Sequence, residues 1–280
     1  MQHSEKINKL EKSIQMLILA SIFLYYFSEN FVMSAGWDVL SLRSIDDFAM
    51  HDSVRRMQDF ILAGEARRVA SFFDYGYGNI FWLTTAIITL PLHLLDAVQA
   101  QIVLGRQLSL IFIFLSILII GKTIQSIRPN ANGIAGWAMI SIAISPMIAI
   151  IGTKLHVNAP CIFFSTLSYY TLAHGRGPIN KLARRSAIFL GVASGLKLTA
   201  LLISPLLIAT LLLKLQEQES PQKAKALLKF SATLMAITAT CAAPAIALAP
   251  FMPAEASSVI STFKTYKNMG SDAGSHAMSP

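Results

Sequence analysis

IVLGRQLSLIFIFLSILIIG, Ile102 to Gly121, is a run of twenty residues with a single charge, Arg106. A bilayer core takes about 20 predominantly apolar residues per helix, so this stretch reads as one crossing. Six more apolar runs flank it: Ile14–Phe31 and Ile80–Leu95 before it, then Ile134–Gly152, Ala159–Ala173, Ala187–Leu213 and Phe230–Phe251. Hydrophobic residues make up 54% of the 280 and charged residues only 14%, and the mean hydropathy is +0.55. A soluble domain carries roughly a quarter charged residues. The expected fold is therefore an all-α membrane protein, a polytopic helical bundle of about seven or eight membrane segments. The formal net charge of +8 does not point to nucleic acid, because the cations flank apolar runs, where they orient spans.

Lys6, Lys9 and Lys12 precede the first run, which reads as an uncleaved signal anchor with the N-terminus in the cytoplasm. The longest polar stretch follows, Ala35 to Asp74, with seven acids against five arginines. A net −2 after an inward-anchored span predicts a loop exported to the periplasm or exterior of the cell membrane. Within 35–74, Ile45, Phe48, Val54, Met57, Phe60 and Ile61 recur near helical spacing, Ser44 precedes Asp47 as in a capping box, and Gly64 supplies a stop. The prediction is an amphipathic helix lying in the membrane interface. Further on, one crossing per run would put the basic stretches Arg176–Arg185 and Lys214–Lys229 on opposite sides, although both read as cytoplasmic. The run between them is 27 residues long and interrupted by Gly191, Gly195, Lys197 and Pro205. A helical hairpin, or two short helices meeting near Lys197, would reconcile the flanks. The stretch 251–280 reads as a C-terminal polar segment. Cys161 and Cys241 have neither a zinc spacing nor a disulfide pattern and read as buried small hydrophobes.

Chemistry has few places to reside. Asp46 and Asp47 are adjacent carboxylates at the start of the amphipathic helix, suited to general-base work or to holding a divalent cation beside a phosphate. Acids in a first turn also stabilise the helix dipole with no further role. Asp74-Tyr75-Gly76-Tyr77-Gly78-Asn79, followed by Phe81 and Trp82, reads as an aromatic interfacial belt, and its glycines permit backbone amides to approach a phosphate. Arg106 is expected to snorkel to the nearby span end, whereas Lys197, deep in an apolar run, calls for an internal partner or a pocket. His156 and Asn158 sit between apolar runs, before Pro160. No P-loop, zinc-protease helix or dinucleotide fingerprint is present.

Taken in order, these pieces resemble the GT-C superfamily of polytopic glycosyltransferases, in particular the aminoarabinose transferases and protein O-mannosyltransferases. The order is a first span, then Ser44-Ile45-Asp46-Asp47-Phe48-Ala49-Met50-His51, a helix ending in Leu62-Ala63-Gly64, and Tyr75-Gly76-Tyr77-Gly78-Asn79-Ile80-Phe81-Trp82. Gly105-Arg106-Gln107-Leu108-Ser109, Ser145-Pro146 and Gly191-Val192-Ala193-Ser194-Gly195-Leu196-Lys197-Leu198-Thr199 complete it. The resemblance covers nearly the whole chain, 1–280, as a single module. It implies transfer of a sugar from a polyprenyl-phosphate-linked donor to an acceptor hydroxyl on a glycan, lipid or protein at the outer face. Asp46 or Asp47 would be the acid that deprotonates the acceptor or organises the site. The donor phosphate would be held by Lys197 with Arg55, Arg56, Tyr75, Gly76 and Gly78, and His51, Asp74, His156 and Asn158 are secondary candidates. Two departures stand out. Asn158 occupies a place where many members carry an Asp, which leaves a divalent cation open, and the chain is shorter than usual members, reading as a fragment or minimal module. A transporter or flippase-like permease, or a non-catalytic membrane subunit, is the alternative.

Overall fold

A computed structural model describes residues 2–32, 45–72, 78–127, 132–217 and 223–248. The side chains of 2–8, Ile45, Asp46, Ser71, Asn132, Lys223, Ala224 and 241–248 fall outside that description, as do Ser44, Asp74, Tyr75, Gly76 and the segment 251–280. Every element among the described residues is helical. In chain order these are α1 (Gln2–Val32), α2 (Ile45–Leu62), α3 (Ala66–Ser71), α4 (Asn79–Leu94), α5 (Val98–Ile127), α6 (Asn132–Ala143), α7 (Pro146–Gly152), α8 (Asn158–His174) and α9 (Ile179–Leu196). A 3₁₀ helix (Leu198–Ile203), α10 (Ser204–Glu217) and α11 (Lys223–Leu248) follow.

The apolar runs are helices, but seven or eight spans are not supported. Among the described residues three helices are long and apolar enough to cross a membrane: Lys9–Val32, Val98–Ile127 and Leu198–Glu217. The pair α6 and α7, bent by 65°, makes a fourth if it counts as one span. The physical reason is length and charge. α4 has 16 residues and α8 has 17, hence about 24 and 26 Å of helix against a hydrocarbon core of about 30 Å. α9 carries Lys181, Arg184 and Arg185 in its first two turns. The α6–α7 bend is written in Ser145-Pro146: the Ser145 hydroxyl caps α7 by accepting from the Ile148 N–H at 3.4 Å, with Pro146 at the first position, where its missing N–H is harmless.

Side-chain contacts fix the helix directions. α1 and α6 run together, since Gln15 donates to the Gly133 carbonyl near their starts and Tyr26 donates to the Ala143 carbonyl near their ends. α5 and α8 run together in the opposite sense. Ser109 of α5 accepts from the His156 N–H just before α8 begins, and Ser126 meets His174 at 2.9 Å where both helices end. α9 then climbs back to Leu196, where Lys197 interrupts the helix in an extended conformation (φ −153°, ψ 119°) and sends its ammonium to Asn158 at the head of α8. α10 descends beside α8, bringing Lys214 within electrostatic reach of His174. The run Ala187–Leu213 thus turns back at Lys197, and both basic flanks share one end of the bundle.

The amphipathic helix of the 35–74 loop is α2, and Gly64 follows it at φ +69°, a backbone conformation that favours glycine. Its apolar face does not await lipid. Met50, Val54 and Met57 are buried in the same core cluster as Phe81, Trp82 and Ala86 of α4. Gln58 donates to Thr89 (2.8 Å) and the Ala86 carbonyl, and accepts from Gln101 of α5 at 2.8 Å. Phe81 and Trp82 are therefore core residues, at 4% and 0% exposure, and not an interfacial belt. Trp82 stands edge-on to Phe72 and Phe81, an arrangement the ring quadrupole favours. Cys161 is buried, as expected; the Cys241 side chain lies outside the described residues.

Candidate functional site

Asp47 in the first turn of α2 and Arg106 in the third turn of α5 meet between these helices. Arg106 places Nη2 2.6 Å and Nε 3.0 Å from Asp47 Oδ2, while the Leu155 N–H donates to Oδ1 at 2.9 Å. Both partners are fully desolvated, with side chains 4% and 0% exposed. Arg106 therefore does not snorkel. A guanidinium withdrawn from solvent in an apolar run needs a partner that answers its charge, and that partner is Asp47, 59 residues earlier.

His51, one turn along α2, directs Nε2 toward Asp47 Oδ1 at 3.5 Å. Its ring fills the space beside Gly105, where a Cβ would come within 2.8 Å of His51 Cε1. Burial holds the His51 pKa down to about 4; Asp47 pulls it up and Arg106 pushes it further down. The imidazole is neutral at ordinary pH, so the ion pair balances itself without it.

The connection 153–157 between α7 and α8 is held from three sides. Leu155 is fixed by Asp47, the His156 N–H donates to Ser109 Oγ at 3.0 Å, and the Asn158 N–H donates to His156 Nδ1 at 3.1 Å. With Nδ1 accepting, the neutral His156 ring carries its proton on Nε2. Lys197 Nζ donates to Asn158 Oδ1 at 2.9 Å. One carboxylate on α2 thus organises a chain of contacts leading to the lysine at the α9 break.

Gly78 closes the cluster. Its N–H donates to the Leu196 carbonyl at 3.1 Å, and a Cβ there would lie 1.5 Å from the Gly195 carbonyl oxygen. Two glycine backbones touch, so the expected offer of the Gly78 amide to a phosphate does not hold, because that amide is bonded within the protein. Asn79 beside it donates to the Val69 carbonyl and ties α4 to α3.

Beneath the polar cluster, α4, α5, α8 and α9 enclose an apolar cleft of about 160 Å³. Phe81, Phe112, Phe164 and Val192 form its walls, and Ser109, Leu155 and Leu196, each bonded into or adjoining the polar cluster, form its lip.

The structure brings Asp47, His51, His156, Asn158, Lys197 and Gly78 into one neighbourhood. Arg56 instead pairs with Asp52 at 3.2 Å, donates to Ser53 and lies over the Phe72 ring, and Arg55 is half-buried on the same helix. The Asp46 side chain, Asp74, Tyr75 and Gly76 lie outside the described residues. No group of three or more His, Cys, Asp or Glu side chains among the described residues is placed to hold a metal ion. Sequence reasoning did not place Arg106 or Ser109 in the site. The signal for Arg106 was its expense in an apolar run, but the run's near edge offered a cheaper explanation. Comparison with known protein families, with curated proteins and with solved structures finds no match to this chain.

Proposed function

We propose that the chain is a membrane glycosyltransferase of the GT-C kind, moving a sugar from a polyprenyl-phosphate donor to an acceptor hydroxyl at the exported face of the cell membrane. The observation that carries this reading is the meeting of an apolar cleft with a cationic and amide cluster at a shared lip, a shape matched to a ligand with an apolar tail and an anionic head. In the reaction the acceptor oxygen bonds the anomeric carbon as the bond from that carbon to the phosphate oxygen breaks. The lipid phosphate keeps the bonding pair, and the hydroxyl proton passes to a base. Lys197, Asn158 and the Nε2–H of His156 are the groups assigned to the phosphate. Asp47, both of whose oxygens are bonded, is assigned the organising role, which leaves Asp46 as the base of the pair.

The test is incubation of the purified chain in lipid with radiolabelled polyprenyl-phosphate sugars and an acceptor extract. Labelled product should form, and Lys197→Met should raise the donor concentration needed while Lys197→Arg retains part of the affinity. Absence of transfer from every donor, in protein that is correctly folded, rejects the reading. One feature favours a transporter instead. α9 and the 3₁₀ helix meet at an unwound residue, Lys197, as in the discontinuous helices of transporters; uptake of labelled substrate into sealed vesicles without transfer would select it.

A further inference from the structure

The end of the bundle opposite Asp47 carries a second charged surface that the proposed reaction does not use. Lys181, Arg184 and Arg185 are exposed on α9, while Leu182, Ala183 and Ser186 between and after them are buried. At 100° per residue the three cations lie within one narrow stripe facing away from the core. α11 extends this stripe. Gly191 packs against Ile237, and each lies twelve residues, about 18 Å of helix, beyond Ile179 and Lys225 respectively. Since α10 descends and α11 follows it, α9 and α11 are parallel, and Lys225 and Lys229 stand level with Ile179 and Ala183. Lys214, at the foot of α10, adds a sixth cation. None of the six is in an ion pair among the described residues.

The neighbours of these cations identify the medium they meet. Leu213 beside Lys214 is 62% exposed, and Leu228 beside Lys229 is 70% exposed. A surface built for a soluble acidic protein would leave these leucines in water. On α10 and α11 a cation thus stands next to an exposed leucine, a pairing that fits the boundary between headgroup phosphates and acyl chains, where the side-chain stem lies in hydrocarbon and its charge reaches outward.

We propose that this end of the bundle binds anionic phospholipid headgroups, with Lys181, Arg184 and Arg185 as the contact stripe. Guanidinium groups match phosphodiester oxygens in paired hydrogen bonds, and the lysines add charge. The test titrates the full chain in a neutral detergent with short-chain phosphatidylglycerol and, in parallel, phosphatidylcholine of the same chain length. Binding is read by native mass spectrometry, and thermal unfolding is read alongside. The wild-type chain should prefer phosphatidylglycerol, and the preference should fall with added salt. The triple variant Lys181→Gln/Arg184→Gln/Arg185→Gln should lose roughly 100-fold of it while unfolding at the same temperature in phosphatidylcholine. Equal binding of the two lipids by the wild type overturns the proposal, as does a triple variant that keeps the preference. Should the triple variant fail to fold, the wild-type salt series decides, since a preference that salt leaves untouched also overturns it. Salt-sensitive binding of polyglutamate with no lipid preference would assign the stripe to an acidic protein and reject the lipid.

Discussion

The two ends of this bundle handle charge in opposite ways. At the Asp47 end, a carboxylate and a guanidinium are wholly withdrawn from solvent and bonded to each other and to the backbone. At the other end, Lys181, Arg184 and Arg185 stand exposed without an ion pair among the described residues. The difference teaches what burial demands. A withdrawn charge survives only with a geometrically exact partner, so it records a fixed junction, whereas an exposed charge needs no internal partner and remains open to what lies outside.

Breaking the buried pair gives the largest expected effect. Arg106→Met leaves the Asp47 carboxylate buried and unanswered, and thermal or denaturant unfolding in lipid should show a loss of about 3–5 kcal/mol. The double variant Asp47→Leu/Arg106→Met should recover most of that stability, though not site function, because no uncompensated charge remains. A single variant with unchanged stability would show that the junction is not closed.

The pH response follows in size. The His51 pKa is lowered from 6.5 to about 4 in the folded chain, so below 6.5 the unfolded chain binds the proton more readily. Stability is complete above pH 6.5, falls as the pH drops from 6.5 to 4, and changes no further from this group below that. The whole loss is on the order of 3 kcal/mol, and His51→Phe should flatten the curve over that window. A wild-type curve already flat there would mean that the ring is open to water.

Smaller still is the glycine contact. Gly78→Ala must push the α4 start away from the α9 break, because the new methyl falls 1.5 Å from the Gly195 carbonyl oxygen. Overpacking of this kind costs about 1–3 kcal/mol. The displaced Leu196 and Lys197 should also weaken any ligand held at Asn158, measured by titration. At the opposite end, neutralising Arg184 and Arg185 together should move stability in neutral detergent by less than about 0.5 kcal/mol. A larger loss there would erase the contrast between the two ends.

Some of this organisation is legible in the residues. The helix after the first span could be read from apolar spacing and Gly64, and its extent agrees with α2. The break near Lys197 could be inferred because two basic flanks cannot lie on one side of a single crossing. Other readings went astray for a common reason. Phe81 and Trp82 have the composition of an interfacial belt, Gly78 that of a phosphate loop, and Arg106 that of a snorkelling end residue, yet each is packed against another part of the chain. Residue type at a boundary describes the medium a side chain tolerates, and a packed helix can supply that medium as well as lipid or water can.

The sequence alone determined that the chain is helical and apolar enough for membrane helices, where α2 runs, and that its longest apolar run is interrupted. Those properties depend on composition and on residues within a few turns of one another, where periodicity and local backbone preference operate. Only the tertiary structure decided how many helices are long enough to span, that α2 is sheathed by α4 and α5, and that Asp47, Arg106, Leu155, His156, Asn158 and Lys197 form one connected cluster. Each of those depends on which distant segment desolvates a group and which atom then answers its charge or hydrogen bond. That pairing is set by three-dimensional packing across separations such as the 59 residues between Asp47 and Arg106, over which local spacing carries no signal.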